Sequence, residues 1–537
     1  MKLNYRNTIY VGLIFFIISL FWQTYDMLIA RTLIDKFGLN QTWSGIVMAF
    51  DNIMAVILLP LFGALSDKSN SKHGRRTPYI VVGTVLAAFA FMALAYTDQV
   101  QTLKIQATDI VENHYDIAFN DLADVKDSGH WLTVVENMSL EREESFNIGK
   151  ISRQELTTWE TEIEEPMLDI LIDHPTALTN RELSIIRDLY YNYLSDRAWE
   201  VTSSNLGNLF VFIGILFVAL VSMATFRSPA VALMPDVTIK PLRSKANAII
   251  TLMGTLGGVL SIYIINLSGI DTHSYDYHGS VYFMIGLIML FVLGIFLWKV
   301  REPKLVKEKQ DIEKQLQIFS QDNDGKQNGI AQMTKKRRMS LYLLLISVFL
   351  LFAGYNAVMS KISDYLPKVL NLNFFDFPFI VAQVFIVIII LPVGILSMIL
   401  GRKRTILIGM IILIFAMGSV YFLQENEAWR TAGIIGVAGI GWTMIGINTY
   451  VMVVELSKGN DVGRYTGYYY AASMSAQIFT PIFSGILMDQ YGRLILFPYA
   501  TIFITLSLVT MIFVQLGDTT KVKKSWLQAY REMKEKL

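Results

Sequence analysis

The chain has 537 residues, of which 53% are hydrophobic, 12% aromatic and 17% charged, and its formal net charge is +1. Soluble domains carry about 25% charged residues, so this is the composition of a membrane protein, and a near-zero charge offers nucleic acid no electrostatic hold. Cysteine is absent, which excludes disulfides, thiol catalysis and cysteine-bound metal.

The N-terminus, MKLNYRNTIYVGLIFFIISLFW, has an apolar stretch longer than that of a signal peptide. No small-residue cleavage site follows, so it reads as a retained membrane span. Further apolar segments of bilayer length recur along the chain. The full set lies near 8–30, 42–65, 78–97, 205–227, 246–268, 280–299, 341–362, 376–399, 405–423, 431–455, 464–488 and 494–516. They must be helices, because backbone polar groups in lipid are satisfied only internally and the segments are too long for barrel strands.

The expected fold is therefore an all-α membrane protein of twelve transmembrane helices in two six-helix bundles. Spans 1–3 occupy 1–97, spans 4–6 occupy 205–299 and spans 7–12 occupy 341–516. The loops assigned to the side of the termini hold 31 Lys and Arg, and the short loops opposite hold about six. By the positive-inside rule both termini are expected in the cytosol.

Two soluble pieces interrupt the spans. Residues 98–204 form an insertion on the expected external side, with 22 Asp and Glu against 8 Lys and Arg. Its run TNRELSIIRDLYYNYLSDRAWE has helical spacing and a cap at Thr179 or Asn180. It reads as a solvated helical elaboration, or else as a cap that gathers solute or binds a partner. Residues 300–340 are a basic cytosolic linker. The basic tail 517–537 is either an amphipathic helix on the inner leaflet or simply a soluble end.

The two halves carry an internal repeat. Pro60, Gly63 and the Leu65-Ser66 step meet Pro392, Gly394 and Leu396-Ser397, while Asp67 falls opposite Met398. A fainter echo sets Arg227 against Asn448 and Arg243 against Arg464. Span 2 runs into the loop GALSDKSNSKHGRRTP. There Gly63 would permit close helix approach, and Asp67, Arg75 and Arg76 would form a cytosolic gate, pairing with each other or across the seam between halves. Glu455 and Arg464 are the expected gate partners in the second half.

Intramembrane ionisable groups are costly and therefore functional candidates. Trp22, Gln23, Tyr25 and Asp26 of span 1 combine acceptors for hydroxyls with aromatic faces, a sugar-like surface. Asn356 and Asn448 are further candidates for solute hydrogen bonds. Asp51 in span 2 lies at a depth where charge is hard to sustain, and Arg227 in span 4 could pair with it, so Asp26, Asp51 and Arg227 are the proton-coupling candidates. Lys361 and Asp364 read as an interfacial pair. His114, His130 and His174 read as surface residues of the insertion. No phosphate loop or HExxH pattern appears, so neither direct ATP drive nor a metal site is expected.

The loop GALSDKSNSKHGRRTPYI resembles the loop between spans 2 and 3 of the major facilitator superfamily, in a lengthened form. Its spacing, with FRSPAVALMPDVTIKPLRSKANAI and GRYTGYYYAASMSAQIFTPIFSGILMD, is similar to the sucrose/proton symporters and to the glycoside–pentoside–hexuronide:cation symporters. The resemblance implies alternating access between two bundles, with cation-driven sugar uptake, and it gives Arg227 the place of the symporters' span 4 arginine. The melibiose-type sodium symporters carry D-x-x-x-D before the span 2 proline. Here those positions are Ala55 and Leu59, so a proton is the expected coupling ion and no cofactor is expected.

The expected protein is thus a monomeric, proton-coupled sugar transporter of a bacterial inner membrane, not an enzyme, whose partners are a small solute and the lipid bilayer. Transport of a non-sugar solute stays open on the same fold. So does a sensor in which the insertion binds the signal.

Overall fold

In the computed structural model the described residues are 4–119, 122–239, 243–268, 275, 277–315, 335–372, 401–424, 426–456 and 462–515, with isolated positions between 381 and 400. The first half begins with α1 (Tyr5–Arg31), α2 (Gln41–Lys68) and α3 (Thr77–Gln106). The insertion follows as α4 (Asp109–Phe119), α5 (Ser128–Asn147), α6 (Arg153–Trp159), α7 (Glu165–Asp173) and α8 (Asn180–Ser204). Then come α9 (Gly207–Val237), α10 (Arg243–Leu267), α11 (Gly279–Lys299) and the polar helix α12 (Glu302–Gln315). The second half contributes α13 (Lys335–Leu370), α14 (Arg402–Val420), α15 (Ala428–Glu455), α16 (Val462–Tyr491) and α17 (Leu496–Ile512).

Ten of the described helices are long and apolar enough to cross a membrane, and α10 holds a shorter apolar stretch, Leu252–Leu267. The expected span near 376–399 lies largely outside the described residues, as does the tail beyond 515. Several helices overshoot the spans read from hydropathy. At 36 residues, α13 is about 54 Å long against a hydrocarbon core of about 30 Å, because its C-terminal end, 361–370, continues as helix inside protein while its basic N-terminal turn stands exposed.

Local sequence explains where the helices start. Asn40 caps α2 by accepting from the Trp43 amide at 2.9 Å. Thr179, not Asn180, caps α8 in a reciprocal box with Glu182. After α1 the chain passes through a π-helical turn, Thr32–Lys36, and reverses at Gly38, whose φ is +68°. A Cβ at that glycine would stand 2.2 Å from the Trp199 amide nitrogen, so helix 1 can meet the insertion only through glycine.

Helix pairs then pack through small residues, as in other proteins built in lipid. In the first half α1 lies on α10 and α3 lies between α9 and α11. In the second half α14 packs on α15, with Gly409 and Gly441 facing each other at 2.8 Å from Cβ position to carbonyl oxygen. The halves meet along α2 and α16. Exposed Leu61, Phe89, Phe291, Phe415 and Val509 face where lipid tails would lie. The insertion has its own core around Trp131, Met138, Met167, Leu183, Tyr190 and Tyr193.

Within that core His114 is buried and pairs with Glu141 at 3.2 Å, so it is not the surface residue the sequence suggested. Burial would push the Glu141 carboxyl up, but hydrogen bonds from His114, Tyr193 and Asn113 outweigh it and bring the pKa down to about 2.

Candidate functional site

The central site grows from the packing of α1 on α10. A Cβ at Gly257 would stand 2.2 Å from the carbonyl of Phe16, and Thr24 bonds Ser261 at 2.7 Å. This fixes the rotation of α1 and leaves Trp22, Gln23 and Asp26 only half-buried. From α9 the Arg227 guanidinium lies over the Trp22 ring, 5.4 Å from its centroid. Asp26 of α1 and Asp51 of α2 lie within electrostatic reach of one another and of Arg227. Three of the expected coupling residues, carried on three helices, are thus gathered into one cluster.

The second half faces this cluster with polar and aromatic side chains. Tyr470 of α16 is an electrostatic neighbour of Arg227. Tyr355 of α13 stacks on Trp442 of α15 with centroids 3.6 Å apart and rings 5° from parallel. Asn356 is half-buried, and its Nδ2 has no hydrogen-bond partner among the described residues. The indole nitrogen of Trp22 is likewise unpartnered. Buried donors are normally satisfied, and these two belong to opposite halves.

Two expected solute contacts sit differently. Tyr25 is fully buried, packed against Phe21 and Trp22 within the α1 core. Asn448 is also buried, donating to the Met444 carbonyl at 2.8 Å and accepting from Ser397. Its amide ties helices together and is not free for solute.

On the side that bears the insertion the two halves are locked. A Cβ at Gly45 of α2 would stand 2.1 Å from the Pro481 carbonyl of α16, and one at Gly485 would stand 2.5 Å from the Gln41 carbonyl. Asp489 caps the start of α2, accepting from the Gln41 and Thr42 amides at 2.8 and 2.9 Å. Gln41 donates to Asp364 at 2.7 Å and accepts from Lys361 at 3.0 Å. Asp364 also binds Lys368 at 2.7 Å and Arg493 at 2.8 Å, and Lys368 pairs with Asp35. Lys361 and Asp364 are therefore members of a buried latch between halves.

The opposite end is built otherwise. Beyond Ala49, α2 buries only Ala55 and Ser66. Gly63 lies beside Ser228 of α9, so its close approach is to its own half. Arg76 binds Asp67 and donates to Asp236 at 2.9 Å and to Ser66 at 2.6 Å. Arg75 reaches Asp236 at 3.4 Å. Glu302 accepts from the amides of Arg75, Arg76 and Thr77 at 2.8–3.1 Å, capping the start of α3. Gly74, at φ +111°, leaves room for that carboxylate, since a Cβ would lie 2.2 Å from it. Among the described residues this cluster thus stays within the first half and does not bridge the seam. Asp236 and Glu302 satisfy both arginines locally. The side chains of Glu455 and Arg464 lie outside the described residues.

Sequence reasoning missed Gln41, Asp188, Asp236, Glu302, Lys368, Asp489 and Arg493. Most sit at span ends, where a charge reads as a topology marker. A faint signal was available for Asp236, which lies between Arg227 and Arg243 of the repeat.

The family described as Major Facilitator Superfamily matches residues 201–481 and 379–532, more than half of the chain. The chain belongs to that superfamily. Residues 10–108 match the family described as MFS/sugar transport protein. Similar curated proteins are the sucrose transport protein SUC4 of Arabidopsis thaliana, 29% identical over 63 residues, and the general alpha-glucoside permease of Schizosaccharomyces pombe, 27% identical over 63 residues. Each alignment spans 12% of this chain, and 12% and 11% of those relatives' lengths. Among solved structures, a D-xylose-proton symporter aligns with TM-score 0.58 and 13% identity, covering 96% of this chain and 99% of that one. The xylose transporter XylE of E. coli, in a partially occluded inward-open conformation, gives 0.53 and 14%, covering 97% and 100%. A mutant of the nucleoside transporter NupG gives 0.52 and 12%, covering 94% and 98%. These structural likenesses establish the fold. The protein is a multi-pass integral membrane protein with the fold of that superfamily.

Proposed function

We propose that this transporter moves a sugar or glycoside together with a proton, by alternating access across a bacterial inner membrane. The observation that carries the reading is the cluster of Asp26, Asp51 and Arg227 against the Trp22 ring. Two acids and one base in a membrane interior cannot all be charged without cost, so one acid exchanges a proton as the arginine changes partner. The unpartnered Trp22 and Asn356 nitrogens are suited to hydroxyl oxygens, and the half-buried Gln23 and Asp26 supply acceptors. The sugar transport family match and the sucrose and glucoside relatives support the solute class. Ala55 and Leu59 stand where melibiose-type symporters carry sodium-binding acids, which favours a proton over sodium.

The excess of Lys and Arg on the side of the N-terminus supports cytosolic termini. With that orientation the latched side is external.

The test is proteoliposomes holding a pH-sensitive dye, challenged with a panel of mono- and disaccharides. Sugar-dependent proton influx is expected, abolished in Asp26→Asn or Asp51→Asn and strongly reduced in Arg227→Gln. Tracer sugar equilibrating without proton movement would leave a facilitator and remove the coupling claim. No movement of either would remove the sugar and turn the search to other solutes.

A further inference from the structure

The 98–204 insertion belongs covalently to the first half, yet it holds the second. Its root is firm. Gln101 of α3 donates to Thr202 of α8 at 2.8 Å, and Asn208 of α9 returns to the Thr97 carbonyl at 3.1 Å. The contact of Gly38 with Ser195 and Trp199 seats α8 on the end of helix 1.

From that root the insertion reaches the second half at three points, the last turn of α13, the entrance to α17, and Asn371 with Asn426. At the end of α13, Arg187 donates to the carbonyls of Pro367 and Lys368 at 3.2 and 3.3 Å. At the entrance to α17, Asp188 accepts from the Arg493 amide at 2.9 Å and from its guanidinium at 2.5 Å, and Asn192 accepts from the same guanidinium at 2.6 Å. At the third point Asp124 accepts from Asn371 at 2.7 Å and from Asn426 at 2.8 Å, while Arg187 braces it at 3.1 Å. Gly492, at φ +76°, brings Arg493 to Asp188, and a Cβ there would stand 2.7 Å from the Asp188 carboxylate.

These are posts and not a continuous seal. Beside the post made by Asp188 and Arg493 lies a cavity of about 720 Å³, with Glu162, Asn192, Asp196, Gln490 and Tyr491 on its walls. An interface of discrete charged and amide contacts can release and re-form, where a large apolar one would stay shut. Arg493 also links the posts to the latch, because the same side chain holds Asp188 of the insertion and Asp364 of α13.

We propose that the insertion is a clasp: it grips the second half through Asp124, Arg187, Asp188 and Asn192 and biases the transporter toward the state closed on the insertion side. Opening that side requires the three posts to let go. The inference rests on alternating access, not on the identity of the solute or the coupling ion.

Because the chain has no cysteine, a single introduced thiol reports opening without background. Met48 is 4% exposed and lies on the face of α2 that carries Gln41 and Gly45, so Met48→Cys is the reporter. Thiol modification of the detergent-solubilised full chain is timed alone, with Asp188→Asn, and with Asn371→Ala plus Asn426→Ala. The last pair leaves the insertion's own residues unchanged. Thermal unfolding of each variant shows that it is folded. Both sets are expected to raise the modification rate by about tenfold. A rise in one set alone keeps the clasp and assigns the grip to that post. Rates within about twofold of the Met48→Cys parent in both folded sets would overturn the proposal. Solute transport does not enter the readout, so this failure is separate from failure of the sugar and proton assignment.

Discussion

The two ends of α2 make opposite use of similar residues. At the Gln41 end, buried charges and amides from both halves and from the insertion converge on one network. At the Lys68 end, Asp67, Arg75 and Arg76 are equally polar, but their partners lie in the first half and α12. A charged cluster therefore does not announce a closed gate. Whether it bridges two bodies or staples one depends on which helices deliver the partner, and here only the insertion side is bridged among the described residues.

The largest effect should come from breaking the close approach itself. In Gly45→Val the new side chain would meet the Pro481 backbone, which cannot yield as a flexible side chain could. Most transport is expected to be lost, with the Met48→Cys reporter modified rapidly. Wild-type uptake with an unreactive reporter would show that the two helices need not touch.

Next is the latch. Arg493→Met takes the cation from Asp188 and leaves Asp364 to Lys368 and Gln41, and removing one partner of a buried ion pair costs about 3–5 kcal/mol. A lower melting temperature and faster Met48→Cys modification are expected together. Loss of stability without faster modification would make Arg493 a structural residue only.

Smaller again is the contrasting end. Glu302→Gln takes a charge from the start of α3, where such charges are worth about 0.3–1 kcal/mol, or up to about 2 when partly buried. A slightly lower melting temperature with unchanged Met48→Cys reactivity is expected, since no bond across the seam is touched. Altered reactivity would show that the two ends communicate through α2.

The smallest effects are the pH responses of the insertion. Glu141 is held at about 2 in the folded chain by His114 and Tyr193, below its ordinary value. Its contribution is therefore fully present above about pH 4.5 and lost as pH falls toward 2. Asp196 moves the other way. Crowding by the surrounding protein, then repulsion from Glu200 and Glu162, push it up to about 6 against the pull of Arg142, although its side chain is 58% exposed and water weakens each of these effects. Its folded form binds the proton more tightly, so stability declines as pH rises from about 4 through 6. Asp196→Asn should raise the melting temperature slightly at pH 7–8 and change nothing near pH 3.5. A uniform shift at all pH values would point to packing instead of charge.

Much of the fold was legible because lipid imposes it. Helix periodicity, span length and basic loops gave two bundles and an insertion from residues alone, and of the two caps open for α8 the structure takes Thr179. Asp26, Asp51 and Arg227 could be picked out because a charge within an apolar run is visible by contrast. Tyr25 and Asn448 show the limit, since rotation about a helix axis decides whether a polar group faces solute, core or neighbour. That rotation is set by contacts such as Phe16 with Gly257. Arg493 and Asp188 were illegible for a second reason: they lie 305 positions apart, and each by itself is an ordinary surface charge.

Sequence by itself thus determined the class, the apolar helices of bilayer length and the charges that interrupt them, because hydrophobic length and intramembrane charge are local properties. Only the tertiary structure decided which side is shut, which acids share Arg227, and that the insertion grips the half to which it is not attached. Those are matters of distance between groups remote in sequence, and electrostatic and hydrogen-bond energies depend on that distance, not on order along the chain.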